Sequence, residues 1–338
     1  MATILVTGGA GFIGSHTCLV LLEADFEVVV IDNFCNSDRE SIKRVEALSG
    51  KSITLYQADL SNTEAIRDVF IKHTIDAVIH FAGLKSVAES CHDPILYYAN
   101  NLQSTLALLQ EMTRAKVFNL IFSSSATIYD SLHPAPYQEK HPVIGKTPYG
   151  QTKLMIEQIL SDLPQSDLNW NISILRYFNP AGAHPSGMIG ESPKTTPSNL
   201  LPFISHVAAG KQASLRVFGN DYPTPDGTGI RDYIHVMDLA QGHLFALSEV
   251  LQQQGDFFEV YNLGSGKGYS VLEIIKAFEE ANLISIPYTV VERRTGDVAI
   301  SYADTSKIER RLGWQTHYTL PEICQDAWNW QKQNPSGF

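Results

Sequence analysis

The stretch Thr3-Ile4-Leu5-Val6-Thr7-Gly8-Gly9-Ala10-Gly11-Phe12-Ile13-Gly14 decides the fold class. An apolar, β-branched run gives way to clustered glycines and then to a helical pattern, the signature of a strand, a tight loop and a helix N-terminus. Gly8, Gly11 and Gly14 fit the spacing G-x-x-G-x-x-G, and Gly9, Gly11 and Gly14 fit G-x-G-x-x-G. Glycines at these places let backbone N–H groups approach a pyrophosphate at the start of a helix. The next strand-like run, Glu27–Asp32, ends on a carboxylate at roughly the 20-residue offset that ribose recognition requires. A carboxylate there accepts a hydrogen bond from a ribose 2′-OH and repels a 2′-phosphate, which favours NAD over NADP. Arg39, a cation able to serve such a phosphate, lies well past the strand end.

Outward from this loop, strand-like runs recur at Ser52–Gln57, Asp76–Ala82, Phe118–Ser124 and Asn171–Tyr177, with helical patterns between them. One helix is expected to open at Ser61, with Glu64 closing a capping box, and another at Asp93 with Pro94 as its first residue. This alternation predicts an α/β fold, a Rossmann-type doubly wound parallel sheet that binds ligands at the carboxyl ends of its strands. From Asn179 to Gly229 the texture turns to Pro, Gly, Ser and Asn with short ordered pieces, predicting a smaller C-terminal α/β substrate lobe. Tyr233–Leu251 reads as one helix and Phe257–Leu263 as a strand returning to the main sheet. Ser270–Leu283 reads as a capped helix closed by Glu273. The expected division is residues 1–178 for a dinucleotide-binding domain, rejoined by 233–263, and residues 179–232 and 264–338 for the substrate lobe.

The 338 residues are 44% hydrophobic and 18% charged, an ordinary globular balance that suits one large domain or two intimate ones. A net charge of -11 argues against nucleic acid or an anionic membrane as the main partner. Cys18, Cys35, Cys91 and Cys324 are scattered and form no Cys-x-x-Cys pair, which suits a reducing cytoplasm. No signal peptide or membrane-length apolar run is read. None of the 11 histidines has metal-site spacing, so no metal is expected; His80 and His235 read as packed, hydrogen-bonded residues.

The chemistry-bearing stretch is Tyr149-Gly150-Gln151-Thr152-Lys153. Residues four apart share a helix face, so a lysine charge is expected beside the phenol, favouring phenolate below its free pKa of about 10. Ser123-Ser124-Ser125-Ala126-Thr127 ends the fifth strand, where one hydroxyl can bridge a substrate hydroxyl and Tyr149 while the others serve the turn. Asp59, after the third strand, is a candidate for an adenine ring. Phe81-Ala82-Gly83-Leu84-Lys85, after the fourth, lies where a dinucleotide would run.

Together these motifs resemble the extended branch of the short-chain dehydrogenase/reductase family, and within it the UDP-galactose 4-epimerases. The resemblance covers nearly the whole chain. It is carried by Val6–His16, His80–Lys85, Phe122–Tyr129, Pro148–Lys153, Arg176–Gly187, Phe218–Asp226, Gly227–Leu239 and Gly296–Asp304, with Arg176–Gly187 the most diagnostic. It implies a bound NAD whose pyrophosphate meets Phe12 and Ile13, and whose adenosine ribose meets Asp32, Asn33, Asn36 and Ser37. Asp59 and Leu60 would flank the adenine. Phe81, Ala82, Gly83, Lys85, Asn100, Ser123 and Phe178 would line the nicotinamide half. Ser125 and Tyr149 would meet the substrate's O4, and Lys153 would hold the nicotinamide ribose and tune Tyr149. A UDP-sugar would be held by Asn179, Asn199, Leu200, Val217 and Phe218, and by Arg231, Tyr233, Arg294 and Asp297, with Lys85 and Ser301 nearer the sugar.

The implied reaction is reversible epimerisation at C4 through a transient 4-keto sugar, and homodimers are usual in the resembling family. Ser301 stands where the family places a wall of the sugar pocket; a small residue there leaves room for a C2 acetamido group, so UDP-GalNAc and UDP-GlcNAc are expected substrates too. Asp130 follows Tyr129 where many relatives carry glycine. Two rivals share parts of the pattern. A nucleotide-sugar dehydratase needs an Asp-Glu pair after the strand-end Ser or Thr, and here Ser125 is followed by Ala126-Thr127. A non-catalytic NAD-sensing protein tends to lose the tyrosine that this chain keeps.

Overall fold

The structure is a computed structural model describing residues 2–166, 168–194, 197, 199–294 and 297–338. It divides into two compact units. The first comprises Met1–Asp130, Pro142–Tyr177 and Ala240–Tyr261; the second comprises Ser131–His141, Phe178–Leu239 and Asn262–Phe338.

The first unit is built on a seven-stranded sheet: β1 Thr3–Thr7, β2 Glu27–Asp32, β3 Thr54–Gln57, β4 Ala77–His80, β5 Asn119–Ser125, β6 Asn171–Tyr177 and β7 Phe257–Leu263. Its spatial order is β7-β6-β5-β4-β1-β2-β3, with parallel pairing from β6 through to β3. The Rossmann-type expectation is therefore met, including the return of Phe257–Leu263 to the sheet edge. Strands β4 and β6 are buried along their whole length, which explains why they read as unbroken apolar runs. The order reverses between β1 and β4, so the glycine loop after β1 and the Phe81–Lys85 stretch after β4 flank the topological switch point.

Local signals set most helix boundaries. Gly11 is the N-cap of α1, Phe12–Glu23. The helix Pro94–Ala115 starts as expected, with Asp93 accepting from the Leu96 amide. Thr147 caps Pro148–Asp162 through the Gly150 amide. The box at Ser270 and Glu273 closes over Val271–Asn282. Elsewhere the register differs. The helix after β3 is Thr63–Lys72 and its cap is Asn62, whose side chain accepts from the Ala65 amide; Ser61 instead donates its amide to Asp59.

Tyr233–His235 is not the first turn of a helix. It pairs in parallel with Asn179–Ala181, and the helix begins at Val236. Long-range pairing overrides the local helical pattern there, and residues 233–239 consequently belong to the second unit. Ser131–His141 is likewise a second-unit segment: Tyr137 and Ala303 form a bridge, and Gln138 donates to Asp304. Tyr129 bridges Val143, and the Asp130 amide donates to the Pro142 carbonyl, closing the base of this excursion within the first unit.

The second unit packs Leu200–Ala208, Val271–Asn282 and Leu320–Gln333 around Leu201, Ile204, Val217, Tyr233, Phe278 and Ile323. Its strands are short. Leu215–Phe218 pairs with Tyr288–Val291, and Ile230–Arg231 lies between Tyr269–Ser270 and Ile300–Ser301. No helix among the described residues is long and apolar enough to cross a membrane.

Candidate active site

The glycine loop is shaped for a group that sits on backbone. Gly8 has φ +69°, and a Cβ there would lie 2.8 Å from the Ala82 amide nitrogen. A Cβ on Gly14 would press into the Gly8 carbonyl. Gly11 brings no side chain to the first-turn amides of α1, so those donors and the positive helix end are left to an anion. Asp32 ties this loop to the end of β2: it accepts from the Ala10 amide at 3.0 Å, the Phe34 amide at 2.9 Å and the Ser37 hydroxyl at 2.7 Å. Three of the acceptor positions are thus occupied within the chain, and about one is left for a ribose hydroxyl. Asp59 accepts from Ser61 and, at 2.7 Å, from Asn33, and the Ser61 amide holds its carboxyl below the usual range. Leu60 belongs to the hydrophobic core, leaving its backbone as the part able to meet a ligand. Arg39 lies over the Phe34 ring and donates to Gln57.

At the end of β5 the serines divide the work. The Ser123 carbonyl accepts from Lys153 Nζ at 2.7 Å. Ser124 donates to Glu157 at 2.5 Å. Ser125 accepts from the Thr127 amide and hydroxyl, and its hydrogen bond to Tyr149 favours the phenolate. Gly150 lets the helix approach closely, since a Cβ there would come within 3.2 Å of the Thr127 carbonyl.

Lys153 is buried, 4.9 Å from the Phe122 ring and 5.9 Å from the Tyr149 ring. Burial pulls its pKa down to about 8, with Glu157 pulling the other way. The expected depression of the Tyr149 pKa by Lys153 is not what this environment produces. Tyr149 is half-exposed yet densely surrounded; desolvation raises its pKa, and the Ser125 hydrogen bond is the counterweight. The lysine itself donates to the Ser123 carbonyl, on the strand that carries Ser125.

Several groups that hold this arrangement carried no short-range signal of their role. Asn101, 2% exposed, accepts from the Leu84 amide and donates to the Leu84 carbonyl and to Thr152 Oγ1. Thr152 in turn donates to the Tyr149 carbonyl, so one side chain links the Phe81–Lys85 stretch to the tyrosine helix. Arg176 forms a bidentate pair with Glu157 at 3.1 and 2.7 Å and donates to Tyr129 at 3.0 Å. Glu157 follows Lys153 by four residues, and that periodicity is the one sequence clue to its place. His80 is hydrogen-bonded between Thr7 and Thr105; burial, then Lys153, pulls its pKa down to about 3, so it is neutral. Phe81 packs on His243, Lys85 is exposed and Asn100 is half-buried.

In the second unit, Arg231 donates to the Ile230 carbonyl and lies 3.5 Å from Asp297. Arg294 lies 3.9 Å from the centroid of the Phe218 ring. Gly296, which opens the segment around Asp297, lies outside the described residues. Asn199 caps Leu200–Ala208 without a side-chain cap bond and donates instead to Glu191. The Asn179 amide donates to the Asp232 carbonyl, and the Phe178 amide to the Leu263 carbonyl. Val217 and Tyr233 are core residues, so Val217 offers a ligand its backbone alone. Ser301 is half-buried and pairs in register with Arg231. Asp232, fully buried between the two expected ligand residues Arg231 and Tyr233, accepts from Ser265, Gly266 and Ala303, while its own amide donates to Ser301. It thereby fixes the strand that carries Ser301. Among the described residues no cluster of three or more His, Cys, Asp or Glu can hold a metal.

A glycine loop at the switch point, a strand-end serine and a Tyr-x-x-x-Lys helix define an extended short-chain dehydrogenase/reductase. A family model described as GDP-mannose 4,6 dehydratase matches residues 5–327. The chain is similar to the UDP-glucose 4-epimerase of Bacillus subtilis (strain 168), 53% identical over 335 residues, 99% of this chain and 98% of that one. It is also similar to the crystal structure of UDP-glucose 4-epimerase from Bifidobacterium longum in complex with NAD+ and UDP: TM-score 0.96, 49% identity, 100% of both chains covered. The epimerase from Stenotrophomonas maltophila, with bound NAD and formylated UDP-arabinopyranose, aligns with TM-score 0.96 and 46% identity over 99% of each chain. The chain belongs to the UDP-glucose 4-epimerase family, and it is an NAD-dependent epimerase.

The loop geometry makes a direct prediction. Gly8→Ala places a methyl against the Ala82 backbone in a left-handed conformation, so the purified variant is expected to keep its far-UV circular dichroism but to lose most of its co-purifying NAD, measured after acid release. Wild-type NAD content in Gly8→Ala would show that this approach does not shape the cofactor site.

Proposed function

We propose that the chain interconverts UDP-galactose and UDP-glucose with Tyr149 as the proton acceptor and donor, Ser125 as its hydrogen-bonded relay and Lys153 as the cation that biases it. The observation that carries this reading is the convergence of Ser125, Tyr149 and Lys153 at the carboxyl end of β5, in the unit that holds the glycine loop. The residues fit NAD: backbone donors at Gly8–Gly14, the Asp32 and Asn33 groups for the adenosine end, and Lys153 for a ribose hydroxyl. When bound, NAD supplies the acceptor that takes a hydride from the sugar's C4 and the donor that returns it.

The chain's own groups handle everything else. Burial raises the Tyr149 pKa, so the tyrosine is held as phenol until charge nearby favours its ionisation. Below about pH 8 Lys153 is charged and supplies part of that bias. Tyr149 then accepts the O4 proton, directly or through Ser125, a step worth roughly 10²–10⁴-fold as general base catalysis. The UDP group is assigned to Asn179, Asn199, Leu200, Phe218, Arg231, Arg294 and Asp297, with the Val217 backbone and Tyr233. Permanently charged arginines suit a diphosphate, and the half-buried Phe218 ring, with Arg294 over it, offers a flat aromatic surface for a uracil. Anchoring at the nucleotide leaves the 4-keto sugar free to present its other face before Tyr149 returns the proton.

Ser301 is a small side chain on a strand clamped by Asp232, which supports acceptance of a C2 acetamido group. The absence of a carboxylate at Ala126-Thr127 disfavours water elimination. Homodimer formation is supported by exposed Ile95, Leu96 and Leu106 on Pro94–Ala115 and by Met155 on Pro148–Asp162. The four free thiols fit a cytoplasmic setting.

Tyr149→Phe is expected to retain NAD and lower kcat by at least about 10²-fold, measured by UDP-glucose formation; retention of near wild-type kcat would remove Tyr149 from its role. Wild type is expected to convert UDP-GalNAc to UDP-GlcNAc, and Ser301→Tyr to lose that conversion while keeping UDP-galactose turnover. No wild-type turnover of UDP-GalNAc would defeat the substrate assignment.

A further inference from the structure

The geometry points to Glu157 as a positioning residue for epimerisation, one that sets the strand-end serines and the charge of Lys153 from beneath the catalytic groups. The inference rests on the roles proposed for Tyr149, Ser125 and Lys153. Glu157 is 6% exposed and lies one helical turn beyond Lys153. Its Oε1 accepts from Ser124, the middle serine of three, while Ser123 on one side takes the Lys153 ammonium and Ser125 on the other meets Tyr149. Alternate residues of a strand point to opposite faces, so fixing Ser124 fixes its two neighbours in register.

Arg176, the sheet partner of Ser124, grips both Glu157 oxygens and compensates the buried carboxylate. A buried carboxylate without such a partner is costly. The charged and titratable groups near Lys153 among the described residues are few. Tyr149 and Glu157 share its helix, neutral His80 comes from β4, and Arg176 and Tyr177 come from β6. Burial draws the lysine's pKa down to about 8, and Glu157 is the cause that opposes it.

Removing the negative charge removes that opposition. Lys153 should then lose its proton at lower pH, and activity that needs the ammonium should fall off earlier as pH rises. The test is the pH profile of kcat for UDP-galactose in Glu157→Gln, with KM measured alongside. The expected result is a kcat lower by about tenfold or more, the scale of one lost charge-assisted hydrogen bond, an alkaline limb moved to lower pH, and KM close to wild type. Glu157→Gln/Arg176→Met removes the pair together and leaves no uncompensated buried guanidinium. It should fold and keep a displaced limb, because the carboxylate one turn from Lys153 is gone while the lysine stays buried.

A merely structural Glu157 would lower Tm and yield without moving the limb, and an unmoved limb in whichever of the two variants folds overturns the proposal. Lys153→Met separates the underlying reading: if it retains wild-type kcat and pH profile, the lysine's role fails. If it loses activity while Glu157→Gln is unaffected, the role of Glu157 alone fails.

Discussion

A buried ammonium must find an acceptor, and Lys153 finds one in the Ser123 carbonyl at 2.7 Å. That hydrogen bond joins the helix Pro148–Asp162 to the carboxyl end of β5 and sets which side chains meet there. The constraint is stringent because desolvation already draws the lysine toward its neutral form, to a pKa of about 8. Small changes in nearby charge therefore decide whether it carries a proton near neutral pH. Tyr149 faces the same problem with the opposite sign, since burial disfavours its phenolate. The lysine's charge and the Ser125 hydrogen bond are therefore the groups that favour ionisation against that burial.

Around this contact the structure spends few residues on direct chemistry and many on holding them. Asn101 and Thr152 connect the stretch after β4 to the tyrosine helix. Glu157 and Arg176 support the serines from below. Asp232 performs a related task in the second unit, gathering four donor groups and clamping the strand of Ser301. These are buried polar groups with their partners satisfied, which makes their geometry rigid and their substitution costly.

The parts of this molecule governed by local rules were legible in the sequence. The glycine loop, Asp32 at the end of β2, the strand alternation, the proline at the start of Pro94–Ala115 and the Ser270 box all depend on neighbours a few residues away. The structure departs from local pattern where distant chain decides. Tyr233–His235 has a helical pattern but pairs with Asn179–Ala181. The cap moved from Ser61 to Asn62 because Asp59 claims the Ser61 amide. Ser131–His141 joined the second unit through Tyr137 and Gln138. The roles of Asn101, Arg176 and Asp232 were illegible for the same reason: each is defined by partners far along the chain. The spacing of Tyr149 and Lys153 places both on one helix, but the sign of the Tyr149 shift depends on its desolvation, which spacing does not encode.

The central claim is that NAD acts as a resident catalyst while Tyr149 removes and returns one proton. The most direct test is to incubate the purified protein with UDP-galactose and no added nicotinamide cofactor, following products by chromatography and reduced cofactor by absorbance. The account predicts UDP-glucose at many turnovers per enzyme with no stoichiometric rise in reduced cofactor. Product that forms only with added NAD, matched mole for mole by reduced cofactor, would contradict it.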